Sequence, residues 1–383
     1  MNTQLDIENT TLTLHRYPKR NNETLQAWDA GDEYLIQYVS EHYMTQHDAQ
    51  KPLNIVILND HFGALSCWFS SHGHAVTTMT DSYLSRKGLE YNLSINNCPN
   101  VTILSTIDEL PEDHDLVLMQ IPKTNRHLTW QLSKIQQACS EKTPIIAVNK
   151  AKEIHSSTLK LFENYLGATT TSLAKKKHRL VFSTADGSHS KQQEAWTQWS
   201  LDEWDMTLYN HANVYSGEKL DLGARFLLEH LPKSDQPLDI IDLGCGNGVL
   251  SIQLARNNKN ASIISVDESI MAVKSLEKNR DKNGVAPEQI QGKLDNCLES
   301  FKSESADLIV CNPPFHQQQA ITDHIAWQMF CDAKQVLRQG GKIIVIGNRH
   351  LGYDDKLRRL FGNDSISTIA QNKKFVILQA QKA

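Results

Sequence analysis

Short apolar runs recur along the chain, between polar stretches long enough to hold a helix. In the second half they occupy residues 240–243, 262–266, 307–311 and 342–346. Runs of this length that are rich in Val and Ile are typical of parallel strands covered by helices on both faces. The alternation of such strands with helices predicts an α/β fold with a mainly parallel sheet.

The first half of the chain repeats the motif order of the second half. Three pairs of segments match in sequence and in order: residues 55–66 with 240–251, 115–123 with 307–315, and 173–182 with 369–378. Because the match extends over most of each half, we expect a tandem duplication of one domain. The two copies are predicted at residues 1–190 and 191–383, with the junction in a polar stretch near residues 186–191.

The composition narrows the class of protein. With 383 residues the chain is long enough for two domains with full cores. Its seven cysteines include no Cys-x-x-Cys pair and its histidines lack metal-ligand spacing, so we expect neither a disulfide framework nor a metal site. The amino terminus lacks a signal-peptide pattern, and no apolar run is long enough to span a bilayer. We therefore expect a cytoplasmic monomer without a membrane partner.

Charge is distributed unevenly along a chain of formal net charge −5. Residues 1–119 contain 6 Lys and Arg against 16 Asp and Glu, whereas residues 120–180 contain 11 against 3. The corresponding stretch of the second copy, residues 338–383, contains 9 against 3. Clustered basic residues favour phosphate binding, so we expect a nucleic-acid surface on equivalent sides of both copies. A solvated basic surface without a partner is the alternative.

A glycine-rich turn follows the strand at residues 240–243. Its sequence is Asp242-Leu243-Gly244-Cys245-Gly246-Asn247-Gly248. Glycines between a first strand and its helix allow the backbone to approach a ligand at the helix amino terminus. Asp267 closes the next apolar strand, which is the place of an acid that binds ribose hydroxyls. A dinucleotide-binding turn would need a small residue where Val249 stands, so NAD fits poorly.

The segment Asn312-Pro313-Pro314-Phe315 follows the predicted strand at residues 307–311. The Asn312 side-chain oxygen and the Pro313 carbonyl accept hydrogen bonds, and the Phe315 ring offers a stacking face. A planar NH2 group fits between these acceptors and this ring. Its nitrogen is a poor nucleophile, because the lone pair is delocalised. Two acceptors that bind its hydrogens favour a pyramidal nitrogen whose lone pair is available for reaction, so no general base is needed. A Pro-Pro turn beside a core Phe is the alternative.

The ordered set of glycine turn, acidic strand end and Asn-Pro-Pro-Phe resembles the S-adenosylmethionine-dependent methyltransferases that act on planar nitrogens. Residues 211–216, 220–226 and 312–317 extend the resemblance to the bacterial ribosomal RNA guanine-N2 methyltransferases. The resemblance covers the whole chain and implies tandem Rossmann-like methyltransferase domains, the second with a seven-stranded sheet. It also implies S-adenosylmethionine as cofactor and the N2 amine of one guanine in large-subunit ribosomal RNA as substrate.

The motifs and the resemblance together assign roles to residues of the second copy. Catalysis is assigned to Asn312, Pro313, Pro314 and Phe315. Cofactor binding is assigned to Asp242, Gly244, Gly246, Gly248, Asp267, Asp295, Asn296 and Tyr215. Helix capping is the alternative for Asp295 and Asn296. The neighbouring aromatic residues Trp196, Trp199, Trp204 and Tyr209 are predicted to pack as a strand pair rather than to stack bases.

The first copy departs from the second where chemistry would occur. Asn59 and His61 replace Gly244 and Gly246, and residues 120–123 replace Asn-Pro-Pro-Phe without an aromatic ring. Side chains in the turn would crowd a ligand, so we expect a methyltransferase-like fold without a cofactor site. We expect this copy to bind RNA. The predicted RNA-binding residues are Lys150, Lys152, Lys175, Lys176, Lys177 and Arg179, with Arg349 in the second copy.

Other functions remain open from the sequence. The same transfer onto small-subunit ribosomal RNA, or onto a protein glutamine amide, would use the same grip on nitrogen. A methyltransferase fold without turnover would instead be an RNA-binding or assembly factor. The basic stretches favour RNA over a protein acceptor, and the intact glycine turn with Asn312 favours an active enzyme.

Overall fold

The computed structural model describes residues 2–20, 23–44, 51–139, 142–186, 193–314 and 319–383. The chain divides into two compact units, Met1–Ala195 and Trp196–Ala383. The division lies a few residues beyond the junction predicted after residue 190. The reason is that Gln193 is hydrogen-bonded to Ser133 and Tyr165, both of which belong to the first unit.

The first unit begins with a hairpin and then alternates strands with helices. Its strands are β1 (Gln4–Ile7), β2 (Thr10–Thr13), β3 (Asn54–Leu58), β4 (Ala75–Thr80), β5 (Val101–Ser105), β6 (Leu116–Gln120), β7 (Pro144–Lys150), β8 (Thr169–Thr171) and β9 (His178–Thr184). Its helices are α1 (Ala30–Val39), α2 (Ala64–Ser71), α3 (Tyr83–Ile95), α4 (Asn125–Ala138) and α5 (Ser156–Tyr165).

The second unit repeats this order of elements. Its strands are β10 (Trp196–Leu201), β11 (Met206–His211), β12 (Asp239–Leu243), β13 (Ser262–Asp267), β14 (Ile290–Leu294), β15 (Ala306–Cys311), β16 (Leu337–Asn348), β17 (Ile366–Gln371) and β18 (Phe375–Gln381). Its helices are α6 (Leu222–Leu228), α7 (Val249–Asn257), α8 (Ile270–Lys282), α9 (Gln319–Val336) and α10 (Tyr353–Phe361).

Each unit contains one seven-stranded sheet with the same topology. The strand order is β5-β4-β3-β6-β7-β9-β8 in the first unit and β14-β13-β12-β15-β16-β18-β17 in the second. Neighbouring strands are parallel, except that β9 and β18 run antiparallel to the strands on both sides of them. The predicted duplication of a Rossmann-like fold is therefore confirmed.

Polar residues cap corresponding helices in the two units. Asp29 and Asp221 cap α1 and α6 through their carboxylates, and Ser82 and Ser269 cap α3 and α8 through their hydroxyl groups. Each side chain accepts a hydrogen bond from a backbone N–H of the first turn, which has no partner within the helix. The same start signals have therefore been kept in both copies.

Helices bury both faces of the second sheet. Val310 and Ile344 face a core that includes α6, α7 and the hairpin β10–β11. Ile309 and Val345 face the opposite core, which includes α9 and α10. Successive side chains on a strand point to opposite faces. The face on which a strand-end side chain lies is therefore set by its position along the strand.

The aromatic residues before the second sheet lie on or beside the hairpin β10–β11. β10 and β11 pair antiparallel over six residue pairs, so the predicted strand pair is confirmed. Asn279 of α8 holds this hairpin by exchanging two hydrogen bonds with the Tyr209 backbone, at 2.7 and 2.8 Å. In the first unit Asn92 of α3 does the same with the His15 backbone, at 2.9 and 2.8 Å. The duplication therefore includes the docking of the hairpin.

Candidate active site

The glycine turn between β12 and α7 adopts a left-handed backbone. Gly244, Gly246 and Gly248 have φ angles of +80°, +52° and +82°, which residues with a Cβ rarely adopt. A Cβ at Gly248 would lie 2.3 Å from the Leu276 side chain, whereas a Cβ at Gly246 would meet none of the described atoms within 4 Å. Gly248 is therefore required by helix packing, and Gly246 borders open space that a ligand can enter.

Asp267 ends β13 beside the glycine turn. Its Oδ2 accepts the Gly246 N–H at 2.9 Å, and its Oδ1 accepts the Ser269 N–H at 3.0 Å. A carboxylate only accepts hydrogen bonds when ionised, which suits the donating hydroxyl groups of a ribose. The predicted ribose partner thus lies next to the open side of the turn and fixes the turn's shape.

Asp242 lies beneath the turn and is fully buried. One carboxylate oxygen accepts a 2.5 Å hydrogen bond from the Ser251 hydroxyl, and Oδ1 has no partner in the described part of the chain. Burial raises the pKa of Asp242 to about 7; the Ser251 hydrogen bond opposes this shift, and the charge of Asp267 adds to it. Asp242 exposes no surface to a ligand in this conformation, so its cofactor-binding role stays a prediction.

Asp295 and Asn296 follow β14, the neighbour of β13. Asp295 is buried, and its Oδ2 accepts hydrogen bonds from the Ser300 N–H and hydroxyl at 3.1 and 2.6 Å. These bonds hold the turn between β14 and β15, where the described residues form no helix, so the alternative role as a helix cap is not found. Asn296 is also buried, and its amide donates to Glu299 at 3.3 Å. Contact of either residue with an adenine amine stays a prediction.

Tyr215 and Arg349 are predicted site residues with exposed side chains. The Tyr215 side chain is 58% exposed, and its hydroxyl lies 3.4 Å from the Asp221 carboxylate at the start of α6. Arg349 follows β16, and its backbone N–H donates to the Lys374 carbonyl at 3.0 Å. Its exposed side chain is accessible to a phosphate, but no structural feature tests that contact.

Asn312 directly follows β15 and carries an unsatisfied acceptor. Its Oδ1 is buried and has no hydrogen-bond partner among the described residues. An unsatisfied buried carbonyl is destabilising, so a ligand group that donates a hydrogen bond to it would remove that cost. Pro313 is buried and Pro314 is exposed, whereas Phe315 lies outside the described residues. The structure thus presents one acceptor of the predicted grip on an amine.

Another strand-end asparagine with the same property was missed by the sequence analysis. Asn348 ends β16, the strand next to β15, and its buried Oδ1 also has no hydrogen-bond partner in the described ranges. The signal that could have found it was its position at a strand end, where Arg349 was selected for its charge instead. An uncharged amide can be identified as a candidate site residue only when its burial and its hydrogen-bond partners are known.

Neither a metal site nor a membrane span is found among the described residues. They contain no group of three or more His, Cys, Asp or Glu side chains that could hold a metal ion. The described helices also include none that is long and apolar enough to cross a bilayer.

Comparison with known proteins divides the chain as the structure does. The RLMG N-terminal domain family matches residues 2–187, and the Methyltransferase small domain family matches residues 205–379. Ribosomal RNA large subunit methyltransferase G of Vibrio vulnificus (strain YJ016) is 58% identical over 382 residues, which cover 100% of both chains. The protein of the same name from Aliivibrio fischeri (strain MJ11) is 58% identical over 383 residues, covering 100% of this chain and 99% of its own.

The chain belongs to the ribosomal RNA large subunit methyltransferase G family. The predicted membership of a ribosomal RNA methyltransferase family is thereby confirmed. A solved structure of similar fold is the Thermus thermophilus 16S rRNA N2 methyltransferase RsmC in complex with AdoMet and guanosine. It has a TM-score of 0.79 and 20% identity, and the match covers 100% of this chain and 98% of that chain. At this identity the likeness shows the fold alone.

The strand pairing shows which residues of the first unit of this methyltransferase correspond to the site residues at the strand ends of the second unit. Its strand pairs place Gln120 where Asn312 stands and Thr80 where Asp267 stands. The Gln120 amide donates to the Asp32 carboxylate of α1, and the Asn59 amide donates to the Gln120 carbonyl at 2.8 Å. The polar groups at this end of the first sheet are therefore bonded to one another.

The predicted RNA-binding residues of the first unit cluster on one hairpin turn. Lys175 and His178 exchange backbone hydrogen bonds of 2.8 and 2.9 Å, which leaves Lys176 and Lys177 as a two-residue turn. Their φ angles are +46° and +66°, a left-handed conformation that two-residue hairpins usually reserve for Asn and Gly. Two lysines in this strained conformation favour a functional reason for their presence.

The cations of this turn differ in their availability to a ligand. Lys176 forms a 2.6 Å ion pair with Glu33, and Lys175 donates to Gln37 at 2.8 Å. The ammonium group of Lys177 is exposed and has no partner within the described segments. Lys177 is therefore the member of the cluster that is most available to a phosphate.

Proposed function

We propose that the second unit transfers a methyl group from S-adenosylmethionine to the N2 amine of one guanine in 23S ribosomal RNA. The observation that carries the proposal is the buried, unsatisfied Oδ1 of Asn312 at a strand end. The membership of the large-subunit methyltransferase G family supports the RNA class, and the guanosine in the related RsmC structure supports the base.

The glycine turn and its neighbours fit the cofactor. The open space at Gly246 admits close backbone approach of a ligand, and Asp267, which accepts the Gly246 N–H, supplies carboxylate oxygens beside that space for ribose hydroxyls. We assign adenine recognition to Asn296, which lies one strand further along the same edge. S-adenosylmethionine, when bound there, supplies a methyl group attached to a positively charged sulfur. Asp242 supports the turn from below through Ser251.

The chemistry assigned to the protein is control of the amine. Asn312 Oδ1 and the Pro313 carbonyl would each accept one N–H of the guanine N2 amine, which draws the nitrogen out of the plane of the base. The nitrogen lone pair is then available to form the new C–N bond while the S–C bond breaks and leaves its electron pair on sulfur. The nitrogen afterwards loses one proton to solvent. Phe315 is assigned to stacking on the base.

The target guanine must be accessible to this buried grip. In a duplex the N2 amine takes part in base pairing and the ring is stacked between neighbours. The nucleotide must therefore be unpaired or flipped out of the helix before transfer, which costs a few kcal/mol. RNA contacts away from the active site are needed to offset this cost.

We assign RNA capture to the first unit, with no cofactor of its own. The internal bonding of Gln120 and Asp32 supports the loss of a cofactor site, because these polar groups are bonded to each other rather than to a ligand. The strained turn of Lys176 and Lys177 supports a phosphate contact, together with exposed Lys150 and Lys152. A cytoplasmic location and a monomeric state complete the proposal.

The test supplies the purified chain with three acceptors and isotopically labelled S-adenosylmethionine. The acceptors are unmodified 23S ribosomal RNA, unmodified 16S ribosomal RNA and a ribosomal protein fraction. We expect label only in 23S RNA, recovered as N2-methylguanosine by mass spectrometry of nucleosides. Label in 16S RNA or in protein would contradict the substrate. Cofactor and RNA binding without any label would favour an assembly factor instead.

A further inference from the structure

Three asparagines, Asn258, Asn312 and Asn348, have a buried side-chain oxygen without a partner in the described part of the chain, and of these Asn312 and Asn348 lie at the carboxyl ends of neighbouring strands. Asn348 ends β16, next to the strand that Asn312 follows. The mechanism described above uses only Asn312 and Pro313. A buried acceptor left without a donor costs free energy, so a second one beside the reacting amine calls for its own ligand group.

The side chain of Asn348 lies on the α6 side of the sheet. Its cross-strand partner on β18 is Phe375, which belongs to the same core as Ile344 and Ile346. Gly347 faces the opposite side, because a Cβ built there would lie 2.5 Å from the Tyr353 ring. Asn348 therefore continues the row of Ile344 and Ile346 toward the carboxyl end of the sheet.

Asn312 lies on the same face of the sheet. It follows Cys311, which faces the opposite core, and it continues the alternation set by Leu308 and Val310. The pairing of Cys311 with Val345 places Asn348 two residues beyond the position beside Asn312. Strand spacing and rise put their Cα atoms about 8 Å apart, a gap that two amide side chains can narrow toward one small group.

Guanine is the RNA base that fits two neighbouring acceptors. Its N2 amine is flanked by N1, which carries a hydrogen and donates. The amines of adenine and cytosine are flanked by ring nitrogens that only accept. With an amine held by Asn312, an acceptor at the next position would bond to guanine N1–H, whereas it would face a lone pair of adenine or cytosine.

We propose that Asn348 Oδ1 accepts the N1–H of the target guanine and thereby selects guanine over other bases that carry an amine. The inference rests on the proposed function, since it assumes that a base amine occupies the Asn312 grip. It adds a division of labour in which Asn312 prepares the nucleophile and Asn348 determines the base.

The first unit offers an internal comparison for this assignment. The strand pairs place Lys150 at the position of Asn348 and Gln120 at that of Asn312. Lys150 is exposed and cannot accept a hydrogen bond, and the Gln120 amide is bonded to Asp32. The unit without the proposed chemistry thus has no acceptor at the Asn348 position, and its amide at the Asn312 position donates to Asp32.

The test compares two bases at the methylated position of a chemically synthesised RNA segment of 23S RNA. One segment carries guanine, and the other carries 2-aminopurine, which keeps the amine at C2 but has no N1–H. We expect kcat/KM of the wild type to be at least about tenfold higher for guanine, the value of one buried hydrogen bond. In Asn348→Ala, kcat/KM for the guanine segment should fall to that for the 2-aminopurine segment. The value for the 2-aminopurine segment should stay within about twofold of that of the wild type.

Two further variants make the result interpretable. Asn348→Asp keeps an acceptor and should retain the preference for guanine, whereas Asn312→Ala should lower kcat/KM for both bases alike. Titration calorimetry with S-adenosylmethionine should show unchanged affinity in Asn348→Ala, which establishes that the variant is folded. If Asn348→Ala lowered kcat/KM equally for both bases, the role of Asn348 in selecting guanine would be overturned, but the proposed function would stand. Absence of wild-type turnover on the guanine segment would overturn the proposed function and this inference with it.

Discussion

The two units have the same sheet topology and corresponding helix caps, but they differ in the hydrogen bonding of the polar side chains at the carboxyl ends of their strands. In the first unit Gln120 is bonded to Asp32. In the second unit the corresponding Asn312 oxygen is buried with no partner among the described residues, and Ala224 stands in the first turn of α6 where Asp32 stands in α1. The two units therefore differ in whether the polar groups at their strand ends are bonded within the protein, without any change in topology.

The glycine turns show which part of the motif serves the fold. Gly63 and Gly248 occupy the same place, with φ angles of +89° and +82°, and each packs against a leucine of the second helix after it, Leu89 of α3 or Leu276 of α8. The position of Gly246, by contrast, is taken by His61 in the first unit. Packing has preserved the last glycine in both units, whereas the glycine that borders open space is present only where a ligand is proposed.

The supporting carboxylate has moved between the units. In the second unit Asp242 on β12 accepts a hydrogen bond from Ser251 at 2.5 Å. In the first unit Asp60, which replaces Cys245 in the turn, accepts hydrogen bonds from the Ser66 N–H and hydroxyl at 2.8 and 2.7 Å. The serine in the first turn of the helix is thus hydrogen-bonded to an acid in both units, and in the first unit that acid lies inside the turn that corresponds to the glycine turn.

The sharpest test of the comparison is to remove the amide at the same strand end in both units. Asn312→Ala should lower the rate of methyl transfer by about 10²–10³, the usual value of one preorganised polar contact in a dry site. Gln120→Ala in the first unit is the matched control and should leave the rate unchanged. The rate is measured under saturating cofactor, and near-normal turnover of Asn312→Ala would refute the proposed grip on the amine.

The second test concerns the number of cofactor sites. Titration calorimetry should find one S-adenosylmethionine site per chain. Only the turn of the second unit has a glycine at its middle position, Gly246, with open space beside it. Gly246→Val should abolish binding, and Gly246→Ala should weaken it at least about tenfold, since even one Cβ at this left-handed position is strained. His61→Val is the matched change in the first unit and should leave affinity unaltered. Two sites per chain would contradict the division of roles.

The third test asks whether the last glycine serves packing equally in both units. Gly248→Ala and Gly63→Ala should each destabilise their own unit by about 1–3 kcal/mol, because the new methyl group meets a leucine and the backbone is left-handed. Differential scanning calorimetry measures this loss. Gly63→Ala should keep wild-type cofactor affinity at temperatures where it is folded. Loss of cofactor binding in that variant would argue for a second site.

The smallest expected effect is on RNA affinity. Replacing Lys176 by Asn and Lys177 by Gly supplies residues suited to the left-handed turn, so the unfolding temperature should not fall. The slope of log affinity for 23S RNA against log salt should flatten by roughly one to two, since each lost phosphate contact lowers it by about one. Changing Lys175, Lys176, Lys177 and Arg179 to Glu should flatten it further.

The control for this effect removes two cations from the acidic segment of the same unit. Arg86→Gln with Lys87→Gln changes the net charge equally, and both side chains are already paired with Glu90. We expect this variant to keep the wild-type salt slope. Equal slopes for the hairpin and control variants would assign the basic cluster to solvated surface and leave RNA capture to the second unit.

The local sequence determined the elements and much of the candidate site. Apolar runs, glycine turns and capping residues act over a few positions, so they predicted the duplicated α/β fold, the turn at Gly246 and the acceptor at Asn312. The internal repeat also indicated where the first unit departs from the second. These features are readable because propensity and spacing depend only on neighbouring residues.

Only the tertiary structure decided which polar groups are satisfied. Asp32 and Gln120 are 88 positions apart, and their contact depends on α1 packing beside the end of β6. The burial of Asp242 depends in the same way on strands that the sheet brings together. So does the burial of Asn348 Oδ1, which has no hydrogen-bond partner in the described part of the chain. Satisfaction of a hydrogen bond is a property of the space around an atom, and that space is assembled from distant segments of the chain.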